Sequence, residues 1–277
     1  DMGCYLAASI RTHLDEDVDL IGYCPADTIK DMNPYALAIF KKLNVDIRPM
    51  DTHGTFEPPY PHGNKMIAAR QPRRTPYSAF LDSDILFIGA TKVADLIKPG
   101  HVSLTPAASM YWSGQNIWKD IYAACDMPMP ADRIWLARQR RRKLMPYFSA
   151  GFFVFPEGPV NDEEESFVDV WMRLAHMIEQ VDIIKKRPYL DQMSLPLAIR
   201  AAGLDWNILP EEQHYILGGQ MRGEPLPADM KIKAIHYRNM KVLKEVDMLR
   251  KAKGMLEQHV GERRFDRIDP AKLLADD

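Results

Sequence analysis

Short apolar runs alternate with helical segments along the chain, and this alternation constrains the fold more than any other feature. Residues 3–14 carry apolar side chains at spacings of three and four, which predicts a helix, whereas residues 18–24 form a short apolar run before Pro25, which predicts a strand. The same change recurs between residues 34–44 and 45–50. Strands that alternate with helices form parallel βαβ units. The sequence therefore predicts an α/β fold with a mixed, mostly parallel sheet flanked by helices.

The 277 residues are 46% hydrophobic and 27% charged, which is ordinary for a globular protein and sufficient for a sizeable core. No linker interrupts the pattern, so we expect a single domain over residues 1–277, with residues 242–277 as a helical tail. Acidic residues 162–165 are expected in the first turn of a long helix. The other elements predicted are helices at 65–70 and 91–97, and strands at 80–89, 148–158 and 231–237.

Charge and cysteine content exclude several classes of protein. The net charge of -2 provides no overall field that would recruit nucleic acid, so we expect no nucleic-acid partner. No apolar run reaches the length of about 18 residues that a membrane span requires. The cysteines, at positions 4, 24 and 125, have neither metal-ligand spacing nor an even number for a disulfide framework. These features favour a cytoplasmic location.

The segment FLDSDILFIG (residues 80–89) combines an apolar, strand-like run with two acidic residues. In a strand, Asp82 and Asp84 point to the same side, where the two like charges repel each other. One interpretation is structural, with the carboxylates capping the next helix or pairing with the upstream arginines Arg70, Arg73 and Arg74. The other is a divalent cation, because Mg²⁺ and Mn²⁺ bind carboxylate oxygens and would neutralise the pair.

Four segments in this order resemble family 8 glycosyltransferases and their relatives of the GT-A fold: GNKMIAARQPRRTPYSAFLDSDIL, PYFSAGFFVFPEG, YLDQMSLPLAIRAAGLDWNILP and IKAIHYRN. The resemblance extends from about Gly3 to Tyr237, and it implies a nucleotide-diphosphate sugar donor, with a UDP-sugar expected. It also implies that Asp82, Asp84 and His236 bind Mn²⁺ (or Mg²⁺) against the donor diphosphate. The strand with which members of the family begin is expected upstream of Asp1.

The same resemblance implies the residues that contact the donor. Lys65 lies at the start of a helix, and small residues at the start of a strand would allow a sugar ring to approach the backbone. Arg238 and Lys241 both follow the metal histidine and are alternative substitutes for the lysine of the family. Without the resemblance, Lys65 reads as a solvated lysine and His236 as a core histidine. The full set of expected donor contacts is Lys65, Asp82, Ser83, Ser149, Ala150, Gly151, Arg238 and Lys241.

Asp191 and Gln192 precede a predicted helix that contains Pro196. One interpretation makes Asp191 the N-cap of this helix, because Asp is among the best N-cap residues. The resemblance instead implies that both residues are catalytic in an enzyme that retains the anomeric configuration, with Gln192 beneath the reacting carbon. In an inverting enzyme, Asp191 would be the general base.

The basic run Arg138–Lys143 and the tryptophans at 112, 118 and 135 each have two interpretations. The run is either a solvated face, or a surface that binds an anionic acceptor or the membrane that carries a lipid-linked one. The tryptophans are either core residues or a platform for sugar stacking.

The sequence thus predicts a metal-dependent hexosyltransferase that retains configuration and acts on a saccharide, lipid-linked or protein acceptor, in the cytoplasm or at the membrane periphery. A sugar nucleotidyltransferase is one alternative, although the expected Gly-rich loop is not visible in this sequence. A non-catalytic module that binds nucleotide sugars or carbohydrates is the other.

Overall fold

The structure is a computed structural model. It describes residues 1–110, 112–217 and 225–275. The chain divides into two compact units, one of which comprises Asp1–Asp51, Asp82–Asp95 and Glu212–Asp277, and the other Thr52–Leu81 and Leu96–Glu211. Both units contain strands and helices, so the predicted α/β class is confirmed, whereas the single domain stays a prediction.

Helices and strands follow one another in nearly the predicted order. The helices are α1 (Met2–His13), α2 (Pro34–Lys42), α3 (Asn64–Arg70), α4 (Ile117–Ala124), α5 (Phe167–Glu179), α6 (Leu190–Ala201), α7 (Met240–Glu245), α8 (Leu249–Val260) and α9 (Pro270–Leu273). The strands are β1 (Leu20–Pro25), β2 (Val45–Met50), β3 (Tyr77–Leu81), β4 (Ile85–Phe87), β5 (His101–Pro106), β6 (Phe148–Pro156), β7 (Asp205–Ile208), β8 (Tyr215–Ile216) and β9 (Ala234–His236). Among the described residues, no helix has the length and apolarity needed to cross a membrane.

The first unit contains a parallel pair, β1 and β2, and a sheet in which β9 lies between β4 and β8. Helix α1 is buried against β4, where the Ser9 hydroxyl accepts a hydrogen bond of 3.1 Å from the Phe87 amide. Helix α8 packs on α1 and buries Ala252 and Leu256. The predicted helical tail consists of α7, α8, a 3₁₀ turn at Phe265–Arg267 and α9, joined by short non-helical segments, and its last two residues lie outside the described residues.

The second unit contains a four-stranded sheet in the order β3-β6-β5-β7, with helices α5 and α6 packed together. Strand β6 lies antiparallel to both neighbours and is almost entirely buried, which accounts for its continuous apolar sequence. The indole of Trp171 on α5 donates a hydrogen bond of 2.9 Å to Ser194 on α6. The apolar stripe of α5 is buried and comprises Phe167, Val170, Trp171, Leu174 and Ile178.

The prediction of one continuous strand over residues 80–89 is wrong. Strand β3 ends at Leu81, and β4 begins at Ile85 in a different sheet. The residues between them form a turn in which the Ile85 amide donates a hydrogen bond of 3.1 Å to the Asp82 carbonyl. Two acidic side chains and a serine break the run because they keep better access to water in a turn than in a buried strand.

Three further expectations need correction. The acidic residues 162–165 precede α5 instead of forming its first turn, because Ser166 and Asp169 form a capping box that starts the helix. The helix expected at residues 91–97 is only a 3₁₀ turn, Val93–Leu96. Parallel and antiparallel pairings are equally frequent among the described strands, because β6 and β9 pair antiparallel with strands of their own sheets.

Candidate functional site

Asp82 and Asp84 lie in the turn that precedes β4, in the first unit. Their side chains are partly buried, with 27% and 18% of their surface exposed. The turn is fixed at both ends, because the Asp84 carbonyl accepts a hydrogen bond of 3.0 Å from the Tyr237 amide and the Asp82 carbonyl accepts the one from Ile85. Both carboxylates therefore have defined positions at the edge of a buried sheet.

His236 reaches these carboxylates because β9 pairs antiparallel with β4. The register places His236 opposite Ile85, the residue that follows Asp84. Its Nε2 atom lies 3.2 Å from an Asp84 oxygen and 4.0 Å from an Asp82 oxygen. The structure thus brings together the three residues that the sequence predicts as metal ligands.

These three side chains fit a divalent cation. Each offers a ligand atom, and the three atoms lie within 4.8 Å of one another. Within the described residues, the His, Cys, Asp and Glu side chains form one group of this kind. Two carboxylate oxygens and one imidazole nitrogen suit Mn²⁺ or Mg²⁺, and the imidazole favours Mn²⁺.

His214 is a component of this cluster that the sequence does not reveal. It is only 1% exposed, and its Nε2 atom lies 3.2 Å from Nδ1 of His236, with the two rings stacked. It directly precedes β8, which pairs in parallel with β9, and it lies two positions before Ile216, the residue opposite His236. No periodicity or motif surrounds His214, so only the pairing of the strands identifies it.

A second cluster forms in the other unit around Asp191, whose side chain is 1% exposed. The Lys65 ammonium group lies 3.0 Å from an Asp191 oxygen and donates a hydrogen bond of 3.2 Å to the Ala150 carbonyl. Lys65 belongs to α3, Ala150 to β6 and Asp191 to α6. Three elements that are distant in the sequence therefore meet at this ion pair, and Lys65 is not the solvated lysine of the alternative interpretation.

Tyr60 completes this cluster. Its hydroxyl group lies 3.0 Å from the other Asp191 oxygen and 2.7 Å from the Pro188 carbonyl. Burial, followed by the negative charge of Asp191, raises the pKa of the Tyr60 phenol far above its ordinary value. The phenol therefore stays protonated and acts as a hydrogen-bond donor. Tyr60 lies in a Gly/Pro-rich loop that carries no periodic signal, so the sequence does not identify it.

Asp191 does not cap α6. The N-cap is Tyr189, and Asp191 is the second residue of the helix, with its side chain directed to Lys65 and Tyr60. The N-cap interpretation is therefore wrong, because the nearby buried ammonium and phenol groups hold the carboxylate. Gln192 follows in the same turn and is partly exposed.

The remaining residues expected to contact the donor divide between the two units. In β6, Ser149, Ala150 and Gly151 are buried, and the Ser149 hydroxyl accepts a hydrogen bond of 3.4 Å from the Gly151 amide. In the first unit, Ser83 and Arg238 are exposed, and Arg238 has a left-handed backbone with φ of 66°. Lys241 is also exposed and lies 3.8 Å from Glu245.

The basic run is only partly a solvated face. Arg138 is largely buried and forms an ion pair with Glu211, to which Arg140 also binds at 2.5 Å. The next three residues, Arg141, Arg142 and Lys143, are exposed. The solvated interpretation fails for Arg138 because a carboxylate holds it against the protein.

The three tryptophans do not form one platform. Trp118 is fully buried and is a core residue. Trp112 stacks on Tyr189 with ring centroids 4.4 Å apart. Trp135 is 47% exposed, so it is the member of the set that remains open to a ligand.

Residues 1–203 match the family described as Rhodobacterales glycosyltransferase domain. A comparison with curated proteins gives no match. Among solved structures, the chain is similar to mouse xyloside xylosyltransferase 1 in its apo form, with a TM-score of 0.50, 11% identity and coverage of 87% of this chain and 92% of that chain. It is also similar to the apo structure of the bifunctional glycosyltransferase WbbM, with a TM-score of 0.50, 14% identity and coverage of 96% of this chain and 49% of that chain. At these identities the likeness shows the fold, which is the GT-A type.

Asp191→Asn is expected to lower the free energy of unfolding by about 3 kcal/mol, because it leaves the Lys65 ammonium buried without a counter-charge. Urea denaturation measures the change. The matched control is Glu245→Gln, which removes one carboxylate from an exposed pair and is expected to cost less than about 0.5 kcal/mol.

A double variant isolates the ion pair from other losses. Lys65→Met combined with Asp191→Leu removes both charges, so its cost should be smaller than the sum of the two single changes. Additive losses, or an Asp191→Asn variant as stable as the control, would contradict a buried pair that depends on charge compensation.

Proposed function

The chain belongs to the Rhodobacterales glycosyltransferase domain family, and from that membership we propose that it transfers a sugar from a nucleotide-diphosphate donor in a reaction that depends on Mn²⁺ or Mg²⁺. The observation that carries this proposal is the cluster of Asp82, Asp84 and His236. The expected donor is a UDP-sugar. A relationship to family 8 glycosyltransferases is also part of the proposal, on the four sequence segments that resemble them.

Asp82, Asp84 and His236 would hold the metal ion. When bound, the ion supplies Lewis-acid stabilisation of the charge that develops on the leaving diphosphate. The chain supplies fixed ligands for it, because the β4–β9 pairing and the turn at Asp82 set their positions before any donor arrives. In the tautomer with a proton on Nδ1, His236 would donate a hydrogen bond to Nε2 of His214, which would leave its own Nε2 directed toward the carboxylates.

The donor contacts are assigned separately in each unit. In the first unit, Ser83 adjoins the metal ligands, while Arg238 and Lys241 offer cationic groups suited to diphosphate oxygens. In the second unit, Lys65 and the small residues 149–151 are proposed contacts of the donor. The direct hydrogen bond between Lys65 and Ala150 supports assigning them to one site.

We assign Asp191 and Gln192 to the reacting sugar, with retention of configuration. The acceptor oxygen bonds to the anomeric carbon on the face that the diphosphate leaves, and the broken bond's electron pair departs on the diphosphate. A diphosphate oxygen takes the acceptor's hydroxyl proton. The Asp191 carboxylate contacts Lys65 and Tyr60. These contacts favour a role in which it binds sugar hydroxyls, and they disfavour a role as general base. Gln192 carries a neutral amide, which is a poor nucleophile. This chemistry supports a position beneath the reacting carbon without formation of a covalent bond to it.

The acceptor is a saccharide, a lipid-linked saccharide or a protein, and the proposed location is the cytoplasm or the membrane periphery. Free thiols at Cys4, Cys24 and Cys125 support a reducing compartment.

The metal centre is tested by Asp84→Asn. This change is expected to weaken Mn²⁺ binding by about 100-fold or more, a greater loss than that caused by removing an outer-shell partner. Mn²⁺ titration followed by electron paramagnetic resonance measures the metal, and calorimetry with UDP-sugars measures the donor. Because the change also removes a repelling charge, thermal unfolding should remain cooperative with an undiminished midpoint.

Asp95→Asn is the matched control, since Asp95 is an exposed carboxylate in the same unit and lies 3.8 Å from Lys233. It should leave Mn²⁺ and donor affinity unchanged. Equal Mn²⁺ affinity in Asp84→Asn and Asp95→Asn would rule out the proposed ligands.

His214→Ala is expected to weaken Mn²⁺ binding about tenfold, because His236 loses the partner that fixes its ring. His214→Gln keeps a side-chain acceptor and should restore most of the affinity. The same resonance titration reads both variants without relying on turnover. A His214→Ala variant with wild-type Mn²⁺ affinity would remove His214 from the metal centre.

Retention is tested on the product. An α-linked sugar donor should give an α-linked product, and Gln192→Ala should slow the reaction without changing the anomer. Nuclear magnetic resonance of the anomeric proton decides the outcome. A β-linked product would overturn retention and make Asp191 the candidate general base.

A further inference from the structure

The basic run lies on a loop whose backbone is held by hydrogen bonds at its ends and in its interior. Ile134 and Leu144 form an isolated antiparallel bridge with two hydrogen bonds of 2.8 Å. The bridge joins the two ends of the loop formed by the residues between them. Inside it, the Ala137 and Arg138 amides donate to the carbonyls of Ala107 and Ala108 at 3.1 and 2.7 Å. These contacts hold the backbone of the loop in a defined position.

A cavity of about 460 Å³ opens at this loop. Its volume falls within the range of about 300–1,000 Å³ that is usual for small-molecule sites. Polar and small residues line it together with the arginines, and Gln139 accepts a hydrogen bond of 2.7 Å from the Met110 amide. The residues that line the cavity include Ser113, Gly114, Arg138, Arg140, Arg141 and Arg142.

The charge of this cavity is unbalanced. Four arginines line it, and among the described residues Glu211 is the carboxylate that forms ion pairs with two of them, Arg138 and Arg140. Within the part of the chain that the structure describes, Arg141 and Arg142 have no ion-pair partner, and both are exposed. Glu211 thus orients two guanidinium groups and leaves an excess of positive charge at the cavity.

We propose that this cavity binds a phosphoryl group of the acceptor. Guanidinium groups donate paired hydrogen bonds to phosphate oxygens, and a phosphoryl group with up to two negative charges matches the excess better than a single carboxylate does. The phosphoryl group belongs either to a soluble sugar phosphate or to a lipid headgroup, and the chemistry of recognition is the same for both. The assignment of this group to an acceptor rests on the proposed glycosyl transfer.

Binding of inorganic phosphate, measured by calorimetry at low ionic strength without donor or divalent ion, tests the cavity alone. The combined variant Arg141→Ser, Arg142→Ser is expected to bind phosphate about tenfold more weakly than the wild type, or weaker still. The matched control is Arg250→Ser, Arg263→Ser, which removes two exposed arginines from the other unit and should bind phosphate as the wild type does.

Two further probes distinguish the sources. Glucose 1-phosphate represents a soluble sugar phosphate, and vesicles of equal parts phosphatidylcholine and phosphatidylglycerol, compared with phosphatidylcholine alone, represent a headgroup. Loss of binding to either probe in the Arg141/Arg142 variant, but not in the control, supports the proposal and identifies the source.

Equal binding of all three anionic probes by the wild type and the Arg141/Arg142 variant overturns the proposal, as does the absence of binding to all of them. Because these titrations omit metal and donor, Asp84→Asn should retain phosphate binding. Failure of Mn²⁺-dependent donor binding in the wild type would therefore refute the proposed transfer, and the measurement of phosphate binding at the cavity would be unaffected.

Discussion

The antiparallel pairing of β4 with β9 is the constraint on which the candidate metal centre depends. It places His236 opposite Ile85, and the hydrogen bond from the Tyr237 amide to Asp84 fixes the turn that carries both carboxylates. The phenol of Tyr237 is also buried, and burial, reinforced by the charge of Asp84, raises its pKa above the ordinary value. Negative charge is thus held against an apolar interior, where a bound cation would relieve it.

The buried ion pair of Lys65 and Asp191 is not explained by its contribution to the stability of the fold. Removing two charges from water costs several kcal/mol per ion, and an apolar pair of the same volume is often as stable. Stability alone therefore does not explain the pair. Asp191 has further contacts that indicate a positioning role. Tyr60 binds the Asp191 carboxylate, and the Trp171 indole donates a hydrogen bond of 3.1 Å to the Asp191 carbonyl. Together these contacts fix the first turn of α6, and hence the backbone from which Gln192 projects.

The sequence predicts what depends on local pattern. Helix periodicity locates α1 and α5, and the resemblance selects Asp82, Asp84 and His236, which the fold brings together. Prediction from the sequence fails where a feature depends on a contact between residues far apart in the chain, or where a local pattern fits two structures. The apolar run of residues 80–89 continues on both sides of Asp82, so its pattern does not reveal a change of sheet. Tyr60, which lies 131 positions from Asp191, and His214, which carries no motif, are identified only by tertiary contacts.

Net charge illustrates the same limit at the scale of the whole chain. A total of -2 excludes an overall attractive field for anions, yet the loop closed by Ile134 and Leu144 concentrates four arginines around a cavity, where Glu211 is their acidic partner among the described ion pairs. At physiological salt, charges separated by more than about 8 Å are largely screened, so a ligand at this cavity responds to the local excess and not to the total. Recognition of an anion therefore depends on how the fold distributes charge, which composition does not determine.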